Sequence, residues 1–463
     1  MFFGRKKELK ELELRYRGSR KEFGIIYGRR RIGKSALVRY FFNGKRGIFF
    51  QAKQDTSYGN LRSFSFELNK LLGLPVSFVF SSWQEAFDSV LQAAGEERFL
   101  FVIDEYPYIV SQDSSFPSVL QEFIDNAPDN IFLLILGSDV ALLKKELEDQ
   151  KSPIYKRRTF EMNIGKMPFD EAALFLSGLT VDDKCAYLAL MSSYPYYLSA
   201  IDKDISFKEN MEHLLFNEYG IFYNLPDQVL SNSTKVQDVY NAILRSIAHR
   251  HYTLKDISTD IHEESSKVSK YISTLLKSEI IAKRSTFMGS KNSHYYVISD
   301  PLLRFWYLFI YDEQELIKIN GAKVLEDNIP LIKDFVSRGF EDTAILFLDQ
   351  ENIKGNLPEL FPEIQNFKED NTVLGRSVEI DGLSRAKDTL LVVECKYRNK
   401  MFTNAMLEHL IESASIFTDK LHREYYVFSK SGFSGDIRRG ENIHLYTADN
   451  IFTAVSGPSD EQV

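Results

Sequence analysis

Along the first 165 residues, apolar positions gather in short unbroken runs at 23–27, 47–51, 99–103 and 131–136, separated by stretches where they recur every three or four residues. A continuous apolar run of that length reads as a strand buried on both faces, and the periodic stretches read as amphipathic helices. Their alternation predicts an α/β domain with a parallel sheet flanked by helices. From 166 to about 230 the pattern is helical. Lys235 to Tyr311 predicts three helices and a strand pair, the order of a winged helix-turn-helix. Residues 330–455 predict helix, strand hairpin, helix and strand, with a Pro-containing irregular segment at 355–372. The expected divisions are 1–165, 166–234, 235–329 and 330–455, followed by a disordered tail at 456–463, SGPSDEQV.

Composition agrees with several globular domains. The chain has 463 residues, 44% hydrophobic and 26% charged, outside the range of disordered polymers. Net charge is −8, so the surface as a whole is no polycation, and any nucleic-acid site must be a local patch. Two cysteines, Cys185 and Cys395, are too few for a disulfide framework or a cysteine zinc cage, which fits a reducing cytoplasm. Charges interrupt the N-terminal MFFGRKKELKELELRYR, and no run is long enough to span a bilayer, so neither secretion nor membrane insertion is expected.

The first chemical signal follows the first strand. Phe23–Tyr27 runs into Gly28-Arg29-Arg30-Arg31-Ile32-Gly33-Lys34-Ser35, which matches GxxxxGK[ST], and a helical pattern continues. Glycines let successive N–H groups face phosphates, Lys34 reaches the β and γ oxygens, and the Ser35 hydroxyl ligates Mg²⁺. The strand Phe99–Ile103 ends in Asp104 and Glu105, at the edge where ligands bind in open α/β sheets. Asp104 is expected to hold Mg²⁺ and Glu105 to orient or deprotonate the attacking water, the alternative being an acid pair that caps the following helix. Ser138, after the strand at 131–136, is a candidate γ-phosphate sensor or a simple turn residue.

These residues resemble a family. Phe3-Gly4-Arg5 with Glu8-Leu9 is similar to the FxGRxxEL box of AAA+ and signal-transducing ATPases with numerous domains. With GRRRIGKS, FVIDE (101–105), LGSD (136–139) and SPIYKRR (152–158), the chain resembles the archaeal-type ATPases of archaea and bacteria. The resemblance implies an AAA+-like P-loop domain binding ATP and Mg²⁺, with Arg157 sensing phosphate where the family carries PLYGR. Lys156 stands in place of the family's glycine, and Arg158 is an alternative. It also implies that Pro195, in Tyr194-Pro195-Tyr196-Tyr197-Leu198, sets its backbone against the nucleotide, although Ser192 and Ser193 replace the family's glycines.

In the middle region Val268, Ile272 and Leu275 recur at helical spacing, while Ser266, Lys267, Ser269, Lys270 and Ser273 share the other face. A recognition helix needs small polar and basic side chains there to reach phosphates and base edges. Lys283, Arg284 and Lys291 would form a basic wing. Residues 235–300 hold ten Lys/Arg against seven Asp/Glu, the sign DNA binding requires with a small excess; packing against the ATPase core is the alternative role. Tyr295 to Trp306, with Asp300-Pro301, resembles the close of this module in the same family and is expected to pack.

In the last region Val378-Glu379-Ile380-Asp381-Gly382 alternates as a half-buried strand, and Leu390–Val393 leads into Glu394-Cys395-Lys396. Residues two apart on a strand share a face, and a hairpin brings Asp381 beside Glu394 and Lys396. Carboxylates are hard ligands for Mg²⁺ or Mn²⁺, and a neighbouring lysine can activate water or offset phosphate charge. Asp381, then Glu394-x-Lys396 thirteen residues on, resembles the PD-(D/E)XK nucleases. The resemblance implies a restriction-endonuclease-like α/β domain in which Glu341, within Gly339-Phe340-Glu341, is a further metal ligand. Ser429–Phe433, SKSGF, is similar to a strand end in the same ATPase group. Residues 330–463 carry fifteen Lys/Arg and twenty-two Asp/Glu, which without metal opposes DNA binding. The expected function is an ATP-controlled protein that binds DNA or cuts it with Mg²⁺. The alternative is a nucleotide-dependent regulatory switch whose C-terminal domain binds DNA or a partner without catalysis. Self-association or a regulatory protein partner is compatible with either.

Overall fold

A computed structural model describes residues 2–230, 234–287, 294–371, 376–418 and 420–453. Lys291 of the expected wing and the tail 456–463 lie outside them. The chain divides into two compact units, Met1–Met167 with Lys277–Glu279, and Pro168–Leu276 with Ile280–Val463.

The first unit is built on five parallel strands, β1 (Glu22–Tyr27), β2 (Gly47–Gln51), β3 (Phe99–Asp104), β4 (Ile131–Gly137) and β5 (Phe160–Asn163). They pair in the order β2-β3-β4-β1-β5. Parallel neighbours need long crossovers, here helical, and these cover the faces. Every residue of β3 and β4 is accordingly buried, which is why both read as unbroken apolar runs. Aromatic rings fill one face, Phe50 meeting Phe64 edge-on at 5.2 Å and Trp83 meeting Phe116 at 4.9 Å. Because β1 lies between β4 and β5, the loop leaving it emerges next to the end of β4 and one strand from that of β3.

The second unit starts with the helices Phe169–Phe175, Val181–Met191, Pro195–Leu198, Phe207–Leu214 and Leu225–Val229. Helices Thr234–Ala248, Leu254–Asp260 and Ser265–Lys277 then precede the antiparallel pair β6 (Ile281–Ser285) and β7 (His294–Ile298). On Ser265–Lys277, Val268, Ile272 and Leu275 are buried, and Ser266, Lys267, Ser269, Lys270 and Ser273 are exposed. The wing departs from expectation. Arg284 is paired with Glu363 at 2.7 Å, the Phe287 N–H donates to the Asn366 carbonyl at 3.0 Å, and Phe287 meets Phe417 edge-on at 5.7 Å. The base of the hairpin thus leans on the C-terminal sheet, with Arg284 in an exposed ion pair, while Lys283 is exposed.

Asp300 starts the helix Pro301–Phe309, its Oδ1 accepting from the N–H groups of Leu302 (3.0 Å) and Leu303 (3.3 Å). Its Oδ2 accepts from the Tyr197 hydroxyl at 2.7 Å, tying Pro195–Leu198 to this helix. A long helix, Gln314–Lys354, kinked at Asn320, leads to β8 (Gln365–Asn371), β9 (Arg376–Arg385), β10 (Thr389–Lys396), β11 (His422–Ser429) and β12 (Ile443–Thr447). Their order is β12-β11-β10-β9-β8. β8, β9 and β10 form an antiparallel meander, whereas β10, β11 and β12 run parallel, with the helix Asn404–Ala414 crossing between β10 and β11. β8 falls within the segment read as irregular. It is an edge strand whose one apolar residue, Phe367, is buried among polar neighbours, so no alternation announces it.

Helix Gln314–Lys354 packs closely on Val181–Met191 at Gly339, where a Cβ would stand 2.5 Å from the Ala189 Cβ and 2.9 Å from its Cα. In an open helix, Gly→Ala is favourable by roughly 0.5–1 kcal/mol. Here overpacking should reverse the sign, and Gly339→Ala is expected to destabilise the second unit by about 1–3 kcal/mol in urea denaturation.

Candidate active sites

In the first unit the loop Gly28–Gly33 joins β1 to the helix Lys34–Phe42. Gly33 has φ 95°, a left-handed conformation that favours glycine and turns the helix N-terminus toward the loop. At Gly28, with φ 153°, a Cβ would stand 2.3 Å from the Ile164 carbonyl oxygen, so only glycine lets the loop lie this close to the end of β5. Lys34 is buried, and its Nζ donates to the carbonyls of Gly28 and Arg29, each at 2.8 Å. Burial, only partly offset by Glu105 and Asp104, brings its ammonium down to about 8.

Asp104 ends β3 with 0% exposure, and neither carboxylate oxygen has a hydrogen-bond partner of ordinary geometry. Burial raises its pKa, opposed by the Ser35 hydroxyl beside it. A buried carboxylate left in this state calls for a cation, and its proximity to Ser35 fits Mg²⁺. Glu105 follows in a left-handed conformation (φ 55°), uncommon for a non-glycine residue. Its Oε2 accepts from the Ser138 N–H (3.2 Å) and hydroxyl (2.9 Å) at the end of β4. Arg30 donates to the Tyr108 hydroxyl at 3.2 Å, and the Ile32 side chain is buried beneath the loop.

The structure therefore brings Gly28 to Ser35, Asp104, Glu105 and Ser138 to one edge. It does not bring Arg157 there. Arg157 precedes β5, which runs parallel to β1 with Gly24 opposite Phe160 and Tyr27 opposite Asn163, whereas the loop follows β1. Arg157 consequently sits at the other end of the strands, in a two-pronged pair with Asp125 (2.8 and 3.0 Å), and the in-chain phosphate-sensing role does not fit that placement. Arg158 pairs with Glu161 at 2.7 Å. Pro195 belongs to the second unit, in the first turn of Pro195–Leu198.

In the second unit Asp381 on β9 and Glu394 and Lys396 on β10 converge, with Glu341 from the long helix. The Lys396 ammonium contacts Glu394 and lies 3.7 Å from Asp381 Oδ2, which also accepts from the Cys395 N–H at 2.7 Å. Burial and then Asp381 push Glu341 up to about 8 and Glu394 to about 7; burial also raises Asp381, against the pull of Lys396. Burial alone would lower Lys396, but Asp381 and Glu394 outweigh it and hold the ammonium above its ordinary range. The donors have the hard-oxygen chemistry that Mg²⁺ or Mn²⁺ prefers, yet they close on the lysine. Among the described residues no group of three His, Cys, Asp or Glu side chains is arranged to hold a metal ion. In this arrangement Lys396 stands between Asp381 and Glu394, and burial holds Glu341 toward its protonated form, so the expected ligands Glu341, Asp381 and Glu394 are not gathered around a common point.

Residues 2–184 match a family described as an ATPase domain predominantly from Archaea. An uncharacterized ATP-binding protein of Methanocaldococcus jannaschii is 41% identical over 46 residues, 10% of this chain and 78% of that one. Through its first unit the chain belongs to this archaeal ATPase family. A second, uncharacterized protein of the same organism is 23% identical over 412 residues, covering 86% of this chain and 88% of that one. Residues 306–409 match a family described as archaeal and bacterial proteins of unknown function. Among solved structures, a Walker-type ATPase of Pyrococcus abyssi superposes with a TM-score of 0.53 at 19% identity, covering 66% of this chain and 96% of that one. That likeness shows a shared fold. No helix among the described residues is long and apolar enough to cross a membrane.

For this member of the ATPase family the structure adds a residue to which sequence spacing gave no role. Arg5 is 2% exposed, and its Nη2 donates to the carbonyls of Ile32 (2.9 Å) and Gly165 (2.8 Å), bracing the phosphate loop from beneath. The FxGRxxEL pattern was the available signal. Lys34 supplies a test. Phosphate needs the ammonium, so ATP affinity should hold below pH 8 and fall as pH rises above it, by about tenfold per unit until the bound form also titrates. Calorimetric titration of ATP across that range checks this, with Lys34→Ala expected to lose both the affinity and its pH dependence.

Proposed function

We propose that this ATPase-family protein is a nucleotide switch whose C-terminal domain acts on DNA. On the ATPase side the observation that carries the reading is the buried Asp104 carboxylate, without a hydrogen bond of ordinary geometry and lying beside Ser35 and Lys34. Bound phosphates would replace the Gly28 and Arg29 carbonyls as partners of the Lys34 ammonium, while the loop N–H groups and the helix N-terminus accommodate their charge. Ser35 and Asp104 would hold Mg²⁺, which offsets the charge developing on the transferred phosphoryl group. Glu105 would accept the proton of the attacking water once released from Ser138.

On the DNA side, support comes from the convergence of Glu341, Asp381, Glu394 and Lys396 at one end of β9 and β10, and from the exposed Ser/Lys face of Ser265–Lys277. The closure on Lys396 favours a second reading, in which the C-terminal domain binds DNA without cutting it.

Purified protein incubated with labelled duplex, single-stranded and branched DNA in Mg²⁺ or Mn²⁺, with and without ATP, separates the two. Cleavage lost in Asp381→Ala, Glu394→Ala and Lys396→Ala, with ATP turnover unchanged, would establish the nuclease. Binding without cleavage on every substrate would establish the second reading. Absence of both would remove DNA from the proposal, leaving the ATPase. For the ATPase, Glu105→Gln should retain ATP binding and lose hydrolysis by about 10²- to 10⁴-fold, the range for removal of a general base.

A further inference from the structure

The edge of the C-terminal sheet that carries the acidic cluster also carries Lys430, a cation already engaged by an anion from another part of the unit. We infer that Lys430 is a DNA-phosphate contact and that Asp182 occupies it as an internal phosphate mimic, restraining the cluster until a polyanion displaces it. The inference rests on reading the cluster as a DNA site.

β10 and β11 run parallel with Lys396 opposite Ser429, so both strands end at the same edge. The Lys430 N–H donates to the Lys396 carbonyl at 3.0 Å, which fixes Lys430 at the margin of the cluster. Its Nζ stands 2.9 Å from Asp182 Oδ2 and 4.7 Å from the centre of the Tyr397 ring. The Tyr397 hydroxyl donates to Asp182 Oδ1 at 3.3 Å. Tyr397 directly follows Lys396; its carbonyl accepts from the Ser337 hydroxyl at 3.0 Å, and its ring lies against Phe340, the residue before Glu341, with centres 5.0 Å apart. Asp182 therefore presents two oxygens to one ammonium and one hydroxyl, the donor pair that two oxygens of a phosphodiester would accept.

The helix carrying Asp182, Val181–Met191, is seated firmly on Gln314–Lys354 through the Gly339–Ala189 approach. The ion pair itself is weakly held, because the Asp182 side chain is 60% exposed. Such an arrangement allows the carboxylate to be exchanged for a phosphate without moving the helix. In a region where acids outnumber bases by twenty-two to fifteen, neutralising a cation at this edge weighs directly on the approach of DNA.

Full-length protein and the variants Asp182→Asn, Lys430→Ala and the double variant are to be compared by fluorescence anisotropy with labelled duplex DNA, in chelator and in Ca²⁺, each over a salt titration. Unchanged melting temperatures would show that Asp182→Asn, which leaves the Thr180 cap in place, remains folded. The expected result is roughly threefold to tenfold tighter binding by Asp182→Asn, with a salt dependence steeper by about one counterion. Both gains should vanish in the double variant. Equal affinity and equal salt slope for wild type and Asp182→Asn, with DNA bound by both, would overturn the mimic and leave the DNA reading standing. Failure of every variant to bind DNA while ATP binding is intact would overturn both.

Discussion

Parallel strands that start in register end together, so whatever polar chemistry follows them is gathered at one edge. In the first unit this constraint places the loop after β1, the carboxylates after β3 and Ser138 after β4 side by side, although about a hundred residues separate them in sequence. The same edge is where the buried runs stop, so the first polar residue on each strand is only partly in water. Asp104 is fully buried and Lys34 nearly so. Each pays in desolvation, which is why Lys34 is drawn down to about 8 while Asp104 moves up.

The second unit solves the same problem differently. Its acids are also buried at a sheet edge, but Lys396 lies among them, and Glu341 and Glu394 are held near neutrality, at about 8 and 7. Lys34 donates to loop carbonyls rather than to a carboxylate, leaving Asp104 without a hydrogen bond of ordinary geometry; Lys396 approaches two carboxylates at once. The first arrangement is poised for a ligand carrying both negative charge and a cation. The second is neutralised internally and must rearrange before it can take either. The contacts of Asp182 with Lys430 and Tyr397 extend that self-neutralisation to the cluster's margin.

Much of this was legible in the chain. The runs ending at Ile103 and Leu136 announce buried parallel strands because both faces are covered, and GRRRIGKS carries its own geometry in glycine spacing. Asp381 and Glu394-x-Lys396 could be brought together on paper because strand periodicity and a short hairpin are local rules. β8 was hidden because an edge strand with one buried side chain has no pattern. Arg5 was visible only as part of a box, since its partners Ile32 and Gly165 lie far along the chain.

By itself the sequence determined what depends on neighbours along the chain: strand and helix periods, the loop motif, and which residues share a face. Tertiary structure alone decided what depends on distance through space. It set Arg157 at the end of the strands away from the loop, laid Arg284 against Glu363, and closed Asp381 and Glu394 around Lys396. The reason is that charge pairing and desolvation act over a few ångströms regardless of sequence separation, so the state of a site is set by packing that no local pattern encodes.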